Sequence, residues 1–120
     1  VEDETAILIQ LETRAAVENA AAFAEVEGVD GIFFGPADIG ADLGHLGQTL
    51  HPEIWALIRP AARLLMEKGI PVGTLVTDPD FAAELLNEGF TFVACGTDVG
   101  LLAKGADALR AQVRDKISET

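Results

Sequence analysis

Two carboxylates decide what chemistry this sequence can do. Glu12 closes the apolar run Ala6-Ile-Leu-Ile-Gln-Leu-Glu12, and Asp38 closes a second run, Asp30-Gly-Ile-Phe-Phe-Gly-Pro-Ala-Asp38. Both runs read as buried strands with their polar residues at the C-terminal end. Gly35-Pro36 stops the second strand, because Pro36 has no N–H to give a ladder and fixes its own φ. Adjacent parallel strands lie about 4.8 Å apart, so carboxylates at their ends can converge on one cation. Two carboxylates with positions left for water suit Mg²⁺ or Mn²⁺. The same residues can also be local caps, Glu12 beside Thr13 at a helix start and Asp38 in a turn. Gln10 shares a face with Glu12, one pleat deeper, where a polar side chain within an apolar strand must find partners. The small residues Gly35-Pro36-Ala37 either form an ordinary turn or bring backbone N–H groups close to an anion.

The elements that must position these residues follow a repeating order. The first strand, residues 6–12, is almost wholly apolar, the pattern of a parallel strand covered on both faces. An Ala-rich helix from about Arg14 to Glu25 follows, with Val17, Ala20, Ala21 and Ala24 as its apolar stripe and Gly28 as its stop. The second strand spans Gly31 to Gly35. Residues 39–50 then read as a Gly-punctuated loop, long enough to suggest a functional role. Pro52 suits the first position of the next helix, whose buried stripe is Ile54, Ile58, Ala61 and Leu65. Pro60 is expected to kink that helix one turn upstream. The third strand is Ile70 to Val76, followed by Asp78 as N-cap and a helix to about Glu88, with Gly89 as its stop. The fourth strand is Thr91 to Gly96, with Asp98 as the candidate N-cap of a last helix from about Val99 to Ser118.

Four βα units in series predict a parallel sheet. Polar and glycine signals recur at one end of every strand, as on the catalytic face of a barrel. An open four-stranded α/β sheet is the alternative architecture. Four units are half of an eight-unit barrel, so the 120 residues are expected to be the second half of a chain of about 250.

Composition narrows the partners. Twenty acidic side chains against eight basic ones give a formal charge of −12. That opposes binding to nucleic acid or to an anionic membrane, and it attracts cations. No apolar run is long enough to span a bilayer. Cys95, the single cysteine, reads as a small core residue in a reducing, cytoplasmic setting. His45 falls in the loop and His51 at a helix cap, and neither has a metal-ligand spacing such as HExxH. Trp55 and the phenylalanines read as core.

Taken in order, several segments resemble the HpcH/HpaI family of class II pyruvate aldolases. They are Ile9-Gln10-Leu11-Glu12-Thr13, Asn19, Val26-Glu-Gly-Val-Asp-Gly31, Phe34-Gly-Pro-Ala-Asp38, His51-Pro52-Glu53, Gly73-Thr-Leu75, Glu88-Gly89, Phe92-Val93 and Gly96 with Asp98. The resemblance covers essentially the whole chain. It implies a (β/α)₈ TIM barrel, of which this chain supplies the C-terminal half, in a trimeric or hexameric homo-oligomer. It implies reversible cleavage of 4-hydroxy-2-oxo acids to pyruvate and an aldehyde through a metal-stabilised enolate. Glu12 and Asp38 match the ligands of one divalent ion, Mg²⁺, Mn²⁺ or Co²⁺. Gln10 matches a catalytic residue near the keto group. Gly35, Pro36, Ala37 and Asp38 match the substrate-binding segment, the amides of Ala37 and Asp38 holding the pyruvate carboxylate. Leu75 matches an apolar wall. Gly40 and Pro60 depart from the family pattern, and nothing here corresponds to the family's arginine and proton-transferring histidine. A citrate-lyase-β-like or malyl-CoA-lyase-like enzyme and a non-catalytic half-barrel are the alternatives.

Overall fold

The apolar runs pair in the order in which the chain makes them. The computed structural model describes residues 2–118. Among these, β1 (Leu8–Leu11), β2 (Gly31–Phe34), β3 (Val72–Leu75) and β4 (Phe92–Ala94) form one parallel sheet in the order β1-β2-β3-β4. Helices fill the connections: α1 (Arg14–Glu18) and α2 (Ala20–Ala24), α3 (Pro36–Asp42) and α4 (Pro52–Glu67), then α5 (Pro79–Glu88), with α6 (Asp98–Ser118) last. Right-handed crossovers between strands taken in sequence place every helix on the same side of the sheet. A doubly wound sheet instead reverses its strand order at a switch point. No reversal occurs here, so the architecture is four βα units of a (β/α)₈ barrel and the open-sheet alternative falls away.

The two faces of the sheet differ sharply. Leu11, Ile32, Phe34, Val72 and Val76 lie on the helix-covered face and are buried with Ile54, Ile58 and Leu65 of α4. Thr74 is buried among them and satisfied, its Oγ1 donating to Phe34 O at 2.9 Å. The opposite face carries Leu8, Gln10, Phe33 and Phe92. Gln10 is in register with Phe33, Phe33 with Gly73, and Gly73 with Phe92. Gly73 has no side chain there, and the rings of Phe33 and Phe92 close over it with centroids 5.9 Å apart. Leu8 is 46% exposed and Phe92 55% exposed. Helices cover one face of the first strand, and its other face is the side that lines the interior of a (β/α)₈ barrel. Phe92, like Phe23, is not a core residue, whereas Phe34, Phe90 and Trp55 are.

Local chemistry moves several boundaries. The single helix expected over 14–25 is divided at Asn19, whose backbone leaves the helical region at φ −101°, ψ 15°. Its side-chain Nδ2 donates to Ala15 O at 2.7 Å, the competition for backbone groups that makes asparagine a helix breaker. The long loop expected over 39–50 is shortened, because Pro36 at the first helical position and the fully buried Ile39 start α3 immediately after β2. Gly40 lets α3 approach α4: a Cβ there would stand 2.8 Å from Ile54 Cδ1. α4 runs from Pro52 to Glu67 with Pro60 inside it. Asp78 caps α5 as expected, its Oδ1 accepting from Phe81 N at 2.8 Å, and Gly89 ends that helix at φ 114°. The last cap shifts by one residue. Thr97 Oγ1 accepts from Gly100 N at 3.0 Å, and Asp98 is already helical. Cys95, expected in the core, is exposed.

Candidate functional site

The residues with chemical potential meet where the chain leaves the sheet. A cavity of about 440 Å³ opens at the C-terminal ends of β1, β2 and β3. Gln10, Gly35, Pro36, Ala37, Asp38 and Leu75 all line it. Glu12 lies beside this wall and is tied to it: Gln10 Nε2 donates to Glu12 Oε1 at 2.8 Å. The strand pleat accounts for the pairing, since residues two apart share a face.

Gly35 sits under both side chains. A Cβ at this position would come within 3.2 Å of Gln10 Nε2 and 3.3 Å of Glu12 Cγ. The missing methyl group therefore makes room for the Gln10–Glu12 pair. Gly35 and Pro36 are buried, and Ala37 and Asp38 are exposed in the first turn of α3. In that turn the amides of Ala37 and Asp38 have no carbonyl four residues back within the helix. Phe33 and Leu75 supply apolar wall on the strand side.

The donor set available is oxygen-rich: the carboxylates of Glu12 and Asp38 and the amide oxygen of Gln10. It matches hard divalent cations of the Mg²⁺ and Mn²⁺ type. The Gln10 contact occupies one oxygen of Glu12 and leaves the other available. On the chemistry of these donors, the residues fit the ion implied by the sequence resemblance.

Four further residues line the cavity: Thr77, one of the polar residues at the strand ends, and Phe33, Thr49 and Val76, which the sequence did not mark as site residues. Thr49 comes from the turns between α3 and α4 and is held by Trp55, whose Nε1 donates to Thr49 O at 2.8 Å. Its signal was the unusual length of the Gly-rich segment. Thr77 also lines a second cavity, of about 240 Å³, with Cys95, Gly96 and Lys104. Lys104, from α6, thus borders the strand-end region. Other cavities of comparable size lie between helices, one lined by Val17, Ala20, Leu57 and Leu64 and another by Trp55, Arg59, Arg63 and Phe81. Neither brings paired carboxylates together.

The histidines are closer than their spacing suggested. The His45 and His51 rings stack with centroids 3.6 Å apart, and His45 Nε2 lies 2.8 Å from Glu53 Oε2. His51 Nδ1 accepts from Glu53 N at 3.2 Å, the expected cap. The hydrogen bond from His45, with the charges of His45, His51 and Arg14, holds the Glu53 carboxyl below its usual value.

The model of the HpcH/HpaI aldolase/citrate lyase family matches residues 1–105. The chain is 44% identical over 118 residues to a hydroxypyruvate/pyruvate aldolase of Cupriavidus necator, covering 98% of this chain and 44% of that protein. It is 42% identical over 118 residues to a 4-hydroxy-2-oxo-heptane-1,7-dioate aldolase of Klebsiella pneumoniae, with the same two coverages of 98% and 44%. Among solved structures, an HpcH/HpaI aldolase/citrate lyase family protein of Burkholderia cenocepacia superposes with a TM-score of 0.86 at 28% identity. That match covers 93% of this chain and 44% of the other. The chain spans less than half the length of the curated relatives it matches.

Proposed function

From membership of the HpcH/HpaI aldolase/citrate lyase family, to which this chain belongs, we propose that the protein is a divalent-metal-dependent carbon–carbon lyase. It reversibly cleaves 4-hydroxy-2-oxo acids to pyruvate and an aldehyde. The observation that carries this reading is the Gln10–Glu12 contact at the wall of the cavity that Asp38 lines. It is supported by the aldolase names of relatives at 42–44% identity.

Glu12 and Asp38 would hold one Mg²⁺, Mn²⁺ or Co²⁺ through carboxylate oxygens. When bound, the ion supplies Lewis-acid stabilisation for the negative charge that develops on the substrate's keto oxygen. Gln10 fixes the orientation of Glu12 and presents its amide beside the keto group. The amides of Ala37 and Asp38 hold the substrate carboxylate, with Gly35 and Pro36 keeping that turn small. Leu75 and Phe33 exclude water from the carbon that gains and loses the aldehyde.

The same reading carries a cytoplasmic location and a homo-oligomer, trimer or hexamer. Among the described residues no helix is long and apolar enough to cross a membrane.

The test is metal removal. EDTA should abolish pyruvate-dependent aldol activity, and Mg²⁺, Mn²⁺ or Co²⁺ should restore it. Full activity in a protein shown to be metal-free would reject the reading.

A further inference from the structure

We propose that His45, His51 and Glu53 form a second divalent-metal site, of two imidazoles and one carboxylate, on the segment joining α3 to α4. This stands apart from the lyase reading and uses none of its residues. The ligand atoms these side chains offer all lie within 4.8 Å of one another. His45 Nε2 and Glu53 Oε2 are already 2.8 Å apart. Neighbouring donors on an ion with bonds of about 2.0–2.2 Å stand roughly 3 Å apart.

The backbone beneath the ligands is held at several points. His45 N donates to Gly40 O at 2.7 Å, Gln48 N to His45 O at 3.0 Å, and His51 N to Gln48 O at 2.9 Å. Gly44 and Gly47 make the turns between them at φ 83° and 78°, where a side chain would be strained. The buried Trp55 ties down Thr49, between the two histidines. Glu53 lies in the first turn of α4, two residues after His51. Ordering of this segment is thus part of folding and is not left to the ion.

The stacked rings set the order of ligand strength. Two parallel imidazoles cannot both aim an in-plane lone pair at one point. His51 also gives its Nδ1 lone pair to Glu53 N–H. On binding, the His51 ring must turn out of the stack, give up the cap, or both. His45 and Glu53 are therefore the anchors, and His51 is the weaker, adjusting ligand.

The donor set also fixes selectivity. Two nitrogens and one carboxylate favour Zn²⁺, Co²⁺ or Ni²⁺ over Mg²⁺, which prefers oxygen alone. A formal charge of −12 raises the local concentration of any such cation.

Zn²⁺ titration calorimetry on the intact protein tests this, with the other carboxylate pair removed as Glu12→Gln/Asp38→Asn and with excess Mg²⁺ present. Zn²⁺ should still bind. Adding His45→Gln or Glu53→Gln should weaken it roughly tenfold or more, and adding His51→Gln should weaken it less. Unchanged Zn²⁺ affinity after His45→Gln, or displacement of Zn²⁺ by Mg²⁺, would overturn the site. The unsubstituted protein gives an independent measurement that does not depend on a variant folding. Zn²⁺ should shift the imidazole nitrogen resonances of His45 and His51, and resonances that stay in place at saturation overturn the proposal.

Discussion

Gln10 donates from Nε2 to Glu12 Oε1 across 2.8 Å, so one oxygen of the glutamate is oriented before any ligand arrives. Groups that orient a metal-binding side chain typically contribute 10–100-fold to affinity. Gln10→Leu should therefore weaken Mn²⁺ binding about tenfold, and Asp38→Asn, which removes a proposed ligand, should weaken it further. Calorimetry on the intact protein measures both. Equal Mn²⁺ affinity in Asp38→Asn and the parent would remove Asp38 from the site.

Gly35 and Gly73 separate site from fold. An added methyl at Gly35 meets Gln10 Nε2 at 3.2 Å and Glu12 Cγ at 3.3 Å, whereas at Gly73 it meets the backbone oxygen of Phe92 at 2.7 Å. Gly35→Ala should cost only about 1 kcal/mol in stability, since it is also the N-cap of α3, yet displace the Gln10–Glu12 pair and reduce metal affinity. Gly73→Ala should cost about 1–3 kcal/mol through overpacking. Thermal melts run beside Mn²⁺ titrations distinguish the two. If Gly35→Ala keeps full affinity, its small size has no bearing on the site.

How much of this was legible in the sequence depends on the range of the interaction. Gln10 and Glu12 are two residues apart on a strand, so strand alternation alone placed them together. Gly35, Pro36, Ala37, Asp38 and Leu75 were found through the order of motifs and fall in one cavity. The uncovered inner face of the sheet follows from the count of strands, since four βα units are half of a barrel and leave Leu8 and Phe92 exposed. Thr49 was missed because its place at the wall depends on Trp55, buried in α4. The His45–His51 stack was missed because glycine turns, with no periodicity of their own, bring the rings together.

The pH dependence of stability should show the Glu53 pair. The hydrogen bond from His45 and the nearby positive charges lower the Glu53 pKa from its ordinary value of 4.5. A carboxyl with a depressed folded-state pKa adds stability above its unfolded value and loses it as pH falls through the folded one. The melting-temperature difference between the parent protein and Glu53→Gln should therefore be present at pH 5.5 (roughly one unit above that value) and shrink progressively below about pH 4.5. A difference that grows on acidification would contradict the sign of this pairing.

The final prediction separates metal chemistry from Schiff-base chemistry. A lysine that forms an imine with a keto acid has to be reachable from the substrate and is activated by desolvation or by a neighbouring cation. Lys68 caps the end of α4 and pairs with Glu25 at 3.5 Å, and Lys116 is in the last turn of α6. Lys104 is the nearest alternative, because it lines a cavity with Thr77, and Thr77 also lines the proposed site. Yet Lys104 is exposed on α6, and its cavity does not include Gln10 or Asp38. Borohydride added with pyruvate should therefore leave activity intact and add no mass to the protein, while EDTA under the same conditions should abolish activity. Lys104→Met should retain metal-dependent turnover within a few-fold of the parent, on the order of 1 kcal/mol or less in barrier. Inactivation by borohydride with a pyruvate-derived mass increase on Lys104 would mean that the second cavity, and not the Glu12–Asp38 pair, carries the reaction.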